Sequence, residues 1–263
     1  MLICPLYSSS SGNSTFIATK STRILVDGGV TAKRICSSLI SIGSNIGEID
    51  GIVISHEHID HIRGIGVLAR KYKTSIYANT KTWQAIINGG RIGEIPDECI
   101  VSFGENDFFI NNIGIEPIKI SHDAADPVGF NFWSDNKKIS TITDLGKMPT
   151  DVLDKIMGAQ IVLLESNHDV HMLENGDYPV HLKRRILSNK GHISNDVAAD
   201  TMIKLISGGT QKIALAHLSE RNNTPEAAFF TIQARLAMED MLPGRDVDLA
   251  FAWPQKPGEM WAL

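Results

Sequence analysis

No apolar run in this chain approaches the ~18–20 residues needed to span a bilayer, so a transmembrane helix is not expected. The opening MLICPLYSSSSG lacks the basic n-region and long apolar h-region of a secretory signal, so none is expected there. Cysteine is scarce: the three present, Cys4, Cys36 and Cys99, are odd in number and far apart. That pattern argues against both a disulfide framework and a paired-cysteine metal site, and a reducing cytoplasm is the expected compartment. Excess positive charge is also missing. A formal net charge of −5 speaks against a globally basic nucleic-acid binder, although a local basic patch would still steer a phosphate-rich partner. There is no internal repeat, and no low-complexity tract beyond the serines at 8–11.

What the chain does have is apolar content. Of its 263 residues 43% are hydrophobic, enough to bury one sizeable core or two small ones. Short β-type runs occupy 2–7, 14–19 and 22–27. A helix is expected over 31–42, with Ile35, Leu39 and Ile42 as its stripe, and a second over 60–72, with Ile62, Ile65, Leu68 and Tyr72 on one face. Between them GIVIS (51–55) is a continuous apolar run of strand length, as for a strand covered on both faces. Further strands are expected at 108–112, 113–120, 128–134 and 137–143. The second half repeats the style, with IVLLES (161–166), KIALAH (212–217) and VDLAFA (247–252) as strands. Ser194 should cap a helix whose inward residues are Val197, Thr201, Leu205 and Ile206. Thr224-Pro225-Glu226 supplies a cap, a first-turn proline and an acid near the helix dipole. The expectation is an α/β fold over 1–263, one domain of two packed halves, each a sheet with helices on it.

The chemistry concentrates in SHEHIDHI. His56 and His58, two apart, share a face of a regular strand and can converge on one ion at its end. Asp60 and His61 follow where a helix starts. Imidazole with carboxylate and no nearby thiolate suits zinc, manganese or iron. One such histidine would be an ordinary solvated loop residue; three with an aspartate behind a buried strand are read as a metal site. His122, Asp144 and His217 each follow an apolar run. Alone, each is more often a polar strand-end residue than a ligand, but they share one position, at the C-terminal ends of buried strands.

HEHIDH is similar to the HxHxDH signature of the metallo-β-lactamase superfamily. The order VDGG (26–29), HxHxDH (56–61), His122, Asp144 and His217 resembles that superfamily along nearly the whole chain. The resemblance implies an αββα sandwich of two mixed sheets with helices on the outer faces. It also implies two divalent metal ions (zinc, manganese or iron). His56, His58 and His122 would hold one ion, and Asp60, His61 and His217 the other. Asp144 would bridge them, and Asp27 would buttress the ligand loop. Two such ions generate hydroxide at neutral pH and stabilise charge on a phosphoryl or carbonyl oxygen. Redox di-iron members carry a carboxylate at the position of His58, so hydrolysis is the implied chemistry.

Three features favour a phosphodiester substrate. Glu165 in LLESNHD and His192 in GHISND resemble the glutamate–histidine pair of nucleolytic members such as tRNase Z, in which the histidine assists the leaving oxygen. Asp60, Asp144, Glu165 and His192 are thus the expected catalytic groups. HLKRRILSNK (181–190) is an acid-free basic run; Arg184 and Arg185 in it are candidates to grip phosphate, against the plainer reading of a solvated helix face. SSSSGNS (8–14) offers Ser11 and Asn13 to a phosphate, or is simply a hairpin turn. In this order, SSSSGNS, HEHIDH, SHDAADPVGF, TITDLG, LLESNHD, LKRRILSNKGHISN and AHLSERNNTPE resemble the YycJ (WalJ) group of bacterial metallo-β-lactamase-fold proteins. That resemblance implies 5′-to-3′ exonuclease action on DNA. His168 belongs to the same pattern and is a further substrate-contact candidate. The stretch 145–191 leaves no room for the large β-CASP insertion of ribonuclease J. The alternatives are hydrolysis of a small phosphodiester or of an ester or lactone, and a metal-binding regulatory partner without nuclease activity.

Overall fold

A computed structural model describes all 263 residues. The first sheet has seven strands, ordered β14-β1-β2-β3-β4-β5-β6. In chain order these are β1 (Leu2–Tyr7), β2 (Ser14–Ala18), β3 (Arg23–Val26), β4 (Gly51–Val53), β5 (Ile76–Asn79) and β6 (Ile100–Phe103), with β14 (Trp261–Ala262) returning from the C-terminus to the edge beside β1. Strands β1 to β3 pair antiparallel, and β3 to β6 are parallel. Its helices are α1 (Ala32–Ser41), α2 (Ile59–Ile62), α3 (Ile65–Tyr72) and α4 (Thr80–Gly89).

The second sheet mirrors this plan in the order β13-β12-β11-β10-β9-β8-β7. Its strands are β7 (Phe108–Ile110), β8 (Ile113–Lys119), β9 (Val128–Ser134), β10 (Lys137–Ile142), β11 (Ile161–Glu165), β12 (Lys212–Ala216) and β13 (Asp248–Phe251). The helices of this half are α5 (Thr150–Ile156), α6 (Val170–Asn175), α7 (Val180–Ile186), α8 (Asn195–Ser207) and α9 (Pro225–Met238). No helix is long and apolar enough to cross a membrane.

Strand alternation explains the layering. In β11, Ile161 and Leu163 join a core shared with Ile17, Ile24 and Val53 of the first sheet, while Val162 and Leu164 join a separate core with α5, α8 and α9. In β3, Ile24 and Val26 face the shared core, and Leu25 faces Ile35, Leu39, Ile65 and Leu68 of α1 and α3. Successive strand residues point to opposite faces, so a strand covered twice must be apolar at every position. Three cores therefore separate four layers, helices–sheet–sheet–helices. Phe130 and Phe132, both fully buried, fill the middle one. Burying each contributes ~1.5–3 kcal/mol.

Three local expectations need correction. The helix expected over 60–72 is two helices, broken at Arg63-Gly64. Gly64 donates its N–H to Gly28 O at 2.8 Å, and a Cβ there would lie 2.4 Å from Val30 O, so two backbones are pressed together at the break. Strand β4 stops at Val53 rather than 55, because the Ser55 N–H goes to Asp27 Oδ1 at 2.8 Å instead of to a neighbouring strand. In α8 the buried stripe is Ala198, Thr201, Met202 and Leu205; Val197 is 38% exposed and Ile206 half-buried. The Ser194 cap fixes the phase by accepting from Val197 N–H, which leaves Val197 in the first turn on the outer side.

Candidate metal centre

Within each sheet the parallel strands, together with β1 and β8, run in one direction, so their C-terminal ends share an edge. The two edges meet where Val128 N–H donates to Ser55 O at 3.1 Å and Ser8 N–H donates to Trp253 O at 3.0 Å. His56, His122, Asp144, Glu165 and His217 all lie at or just beyond strand ends on this seam. Three of the surrounding residues, Asp27 (φ 61°), Asp144 (φ 59°) and His217 (φ 55°), sit in the left-handed region. Asp, Asn and His tolerate that region better than most residues, and such positions concentrate at functional sites. The turn throws each side chain off its strand direction and into the seam.

Four overlapping groups of ligating atoms result. His56, His58 and His122 form one, and Asp60, His61 and His217 another. Asp144 stands with His56 and His61 in a third, and with Glu165, His192 and His217 in a fourth. His56 and His58 do not converge by sharing a strand face, since β4 has already ended. His58 instead takes an extended turn (φ −62°, ψ 145°) ahead of α2, which brings its Nδ1 to 3.1 Å from His56 Nε2. The glycines of VDGG allow α2 to sit close: a Cβ on Gly29 would fall 1.5 Å from Asp60 O. Gly28 N–H donates to His61 O at 2.8 Å and Asn13 N–H to Asp60 O at 2.8 Å, so the loop carrying two candidate ligands is fastened by its backbone.

Behind the imidazoles lies a shell of orienting groups. Asp27 Oδ2 is 2.8 Å from His61 Nδ1 and accepts from Ser55 Oγ at 2.9 Å. Glu165 Oε1 is shared, 2.8 Å from His192 Nδ1 and 2.9 Å from His217 Nδ1, while its Oε2 accepts from Leu145 N–H at 3.1 Å. His56 Nδ1 meets only the Ser55 hydroxyl at 3.0 Å, and His122 Nδ1 the Gly191 carbonyl at 3.2 Å. A carboxylate or carbonyl at Nδ1 requires the proton there and leaves Nε2 to face the seam.

The charges follow. Burial alone lowers His61, but Asp144, Asp27 and Asp60 outweigh it and push it up to about 10. His217 behaves likewise: burial is overcome by Asp144 and Glu165, and it rises to about 9. Burial and neighbouring His61 drive His56 well below the ordinary imidazole value, and burial lowers His122 against the pull of Asp144. Asp144, though buried, is held well below the carboxylate range by His217, His61 and His56. Glu165, equally buried, is held down to about 2 by His192 and then His217. A field that protonates buried imidazoles is one that favours a cation in the same place.

The side chains fit a metal. Asp144 Oδ2 and His217 Nε2 are buried without a hydrogen-bond partner, although Asp144 Oδ2 lies 3.3 Å from His61 Nε2. Leaving two polar atoms unpaired in the interior is costly, and a shared cation would satisfy both. The donors are imidazole and carboxylate with no thiol: Cys4 and Cys99 are buried in a core cluster, and Cys36 packs against it. Divalent zinc, manganese and iron suit such a set.

The remaining candidates are placed unevenly. His192, its side chain 14% exposed, stands at the rim between His122 and His217, with ring centroids 5.2 and 5.1 Å away. Arg185 is fixed near the mouth: its Nε donates to Asp123 Oδ2 at 2.5 Å, and Asp123 Oδ1 is 3.3 Å from His122 Nε2. Arg184 is exposed and makes no ion pair. Ser11 is exposed, with its Oγ 3.1 Å from Glu220 Oε1. Asn13 and His168, expected at the substrate, are both buried. Asn13 is 7% exposed; its amide donates to Ser9 O at 2.9 Å and also lies 3.1 Å from His61 Nε2, so it reaches the seam from inside the ligand loop. His168 is 1% exposed, its pKa lowered to about 4 by burial, and its carbonyl accepts from Asn195 N–H behind the rim. The sequence reading passed over Asp123, Ser55 and the second contact of Glu165. Only Asp123, next to His122, carried a signal in the sequence.

Residues 22–215 match the family model described as "Beta-lactamase superfamily domain". The chain is 42% identical over 243 residues to exodeoxyribonuclease WalJ of Streptococcus pneumoniae serotype 2, covering 92% of this chain and 90% of that protein. It is 40% identical over 254 residues to exodeoxyribonuclease YycJ of Bacillus anthracis, covering 96% and 95%. The crystal structure of the metallo-β-lactamase-fold protein YhfI from Bacillus subtilis superposes with a TM-score of 0.74 at 14% identity, over 99% of each chain.

Proposed function

Because this chain belongs to the β-lactamase superfamily, within its WalJ/YycJ-like group, we propose that it is a metal-dependent exodeoxyribonuclease that hydrolyses DNA from a 5′ end. The observation that carries the reading is the seam itself. Seven candidate ligands converge beside a glutamate–histidine pair, in a chain 42% identical to a protein named for DNA exonuclease activity. In this reading His56, His58 and His122 would hold one divalent ion, Asp60, His61 and His217 a second, and Asp144 would serve both. Bound there, such ions supply a hydroxide at neutral pH and neutralise charge on a phosphoryl oxygen.

The chain's own residues do the rest. Asp27 and Glu165 fix the tautomer and orientation of His61 and His217, so both present Nε2 to the seam. Glu165 also holds the proton of His192 on Nδ1, and His192 at the rim is the group placed to give a proton to the leaving oxygen. Arg185, tethered by Asp123, meets the phosphate backbone at the mouth. We read the chain as one domain of this fold, with 145–191 occupied by α5, β11, α6 and α7 rather than by an inserted domain.

The test is digestion of 5′- and 3′-end-labelled DNA, and of matching RNA, by zinc- or manganese-loaded protein. Release of labelled mononucleotide from the 5′-labelled DNA strand is the expected result. Cleavage of a small chromogenic phosphodiester with both nucleic acids untouched would overturn the DNA reading and leave a small-molecule hydrolase.

A further inference from the structure

Beside the metal seam a second cavity opens, of about 350 Å³, where the loops after β1, β12 and β13 meet the start of α9. Its wall is shared with the seam. Ser8 lines it and accepts from the backbone N–H of His217 at 2.8 Å, and Leu218, which also lines it, is the next residue along. The far wall carries Phe251 and Trp253, with ring centroids 5.9 Å apart and tilted by 45°. Both are half-buried. The Trp253 backbone is fixed, because its carbonyl accepts from Ser8 N–H at 3.0 Å. The volume lies in the range of small-ligand pockets, which combine apolar walls with a few placed polar groups.

The lining narrows the ligand class. Its one formal charge is the carboxylate of Glu220, and no lysine or arginine contributes to it. Inside the lining a phosphate would meet a negative group and no cation. A flat neutral heterocycle would instead find two aromatic side chains, a proline (Pro225) and hydrogen-bonding groups from Glu220 and the exposed Gln255. The exposed Lys256 ammonium, outside the lining, lies over the Trp253 ring 5.1 Å from its centroid, where it would give way to a stacked base and meet the strand's backbone at the rim. We infer that this cavity receives an unpaired nucleobase of the DNA strand being cut, stacked on Trp253. This rests on the DNA reading and adds to it: the strand end must be single-stranded near the metals, because a paired base cannot enter.

Stacking of one base on an aromatic ring changes affinity by on the order of 10-fold. The binding test uses 5′-phosphorylated oligothymidylate with the full chain in EDTA, so that nothing is cut. Wild-type tryptophan fluorescence should be quenched on binding, and Trp253→Phe should lose most of that quench while keeping most of its affinity. Trp253→Ala should bind about 10-fold more weakly. In a set of oligonucleotides carrying one abasic residue at successive positions from the end, one position should cost wild type the same factor and cost Trp253→Ala nothing further. Metal-loaded Trp253→Ala should show a raised KM for oligothymidylate and unchanged turnover of a small chromogenic phosphodiester. If Trp253→Ala does not fold, the fluorescence of Trp253→Phe and the wild-type abasic series decide alone. Undiminished quenching in Trp253→Phe, or equal affinity at every abasic position, overturns the pocket. A wild type that degrades DNA while Trp253→Ala matches it removes only this inference; a wild type that neither binds nor degrades DNA removes the nuclease reading as well.

Discussion

The two sides of the seam are both built around imidazoles but supported differently. On one side His56 and His122 lean on neutral groups, the Ser55 hydroxyl and the Gly191 carbonyl. On the other, His61 and His217 each lean on a buried carboxylate, Asp27 and Glu165. Their basicities differ as well: burial pushes the first pair down, while Asp144 first and these carboxylates second outweigh burial and push His61 up to about 10 and His217 to about 9. A carboxylate behind an imidazole makes it a more basic ligand and fixes its ring. The side that carries Asp60 should therefore be the tighter of the two sites. Asp144, in reach of both, is what joins them.

The largest effect should come from removing that join. Asp144→Asn keeps a residue that tolerates a φ of 59° but takes away the charge. It should lose both ions and slow DNA cleavage by on the order of 10³-fold or more, since several kcal/mol of charge stabilisation go with them. Two ions retained by mass spectrometry, with cleavage intact, would contradict the joining role. Next, His192→Ala should leave metal content unchanged and slow turnover ~10²–10⁴-fold, the usual worth of a proton donor. Metal loss in that variant would make His192 a ligand and displace His217 from the assignment.

A sharper probe of the asymmetry is the pair Asp27→Asn and Ser55→Ala. The first removes the carboxylate behind His61 and should weaken one ion ~10–100-fold, with the other little changed. The second removes a hydroxyl that stands behind His56 but also 3.2 Å from His61 Nδ1 and 2.9 Å from Asp27 Oδ2; with every carboxylate kept it should have a smaller effect, read by competition with a fluorescent chelator. Equal losses would mean that the two kinds of support are equivalent. The smallest effect is expected at the mouth. Arg185→Ala should weaken DNA binding at all sequences and flatten log affinity against log salt by ~0.7–0.9, one phosphate contact. Arg184→Ala, exposed and without an ion pair, should do less. Neither should alter cleavage of a small phosphodiester; a flat response of both at every salt concentration would detach this helix from the substrate path.

The comparison also separates what could be read from the sequence from what could not. The continuous apolar runs of β11 and β12 announced strands covered on both faces, and HEHIDH, with His122, Asp144 and His217 after such runs, marked the strand-end seam. Those signals are chemical identities at short spacing. Supporting contacts are long-range and leave none. Glu165 touches His217 across fifty-odd residues, and Asp27 ends β4 by taking the N–H of Ser55. Neither the break at Gly64, where backbone packs on backbone, nor the left-handed turns at Asp144 and His217 show in hydrophobic periodicity, which reads side chains alone. Strands β5 and β6 are four residues each, too short for a period to register, and β14 is two residues held at an edge. Asn13 and His168 were polar residues in suggestive motifs, and only packing revealed that both face inward.

Two cooperating ions in the seam should reveal themselves when metal-free protein is titrated with zinc or manganese while ions bound per chain and the rate of 5′-end-labelled DNA degradation are recorded. The prediction is that the first ion binds tightly with little activity and that cleavage rises only as the second site fills. Full cleavage with one ion bound, or with none, would contradict it.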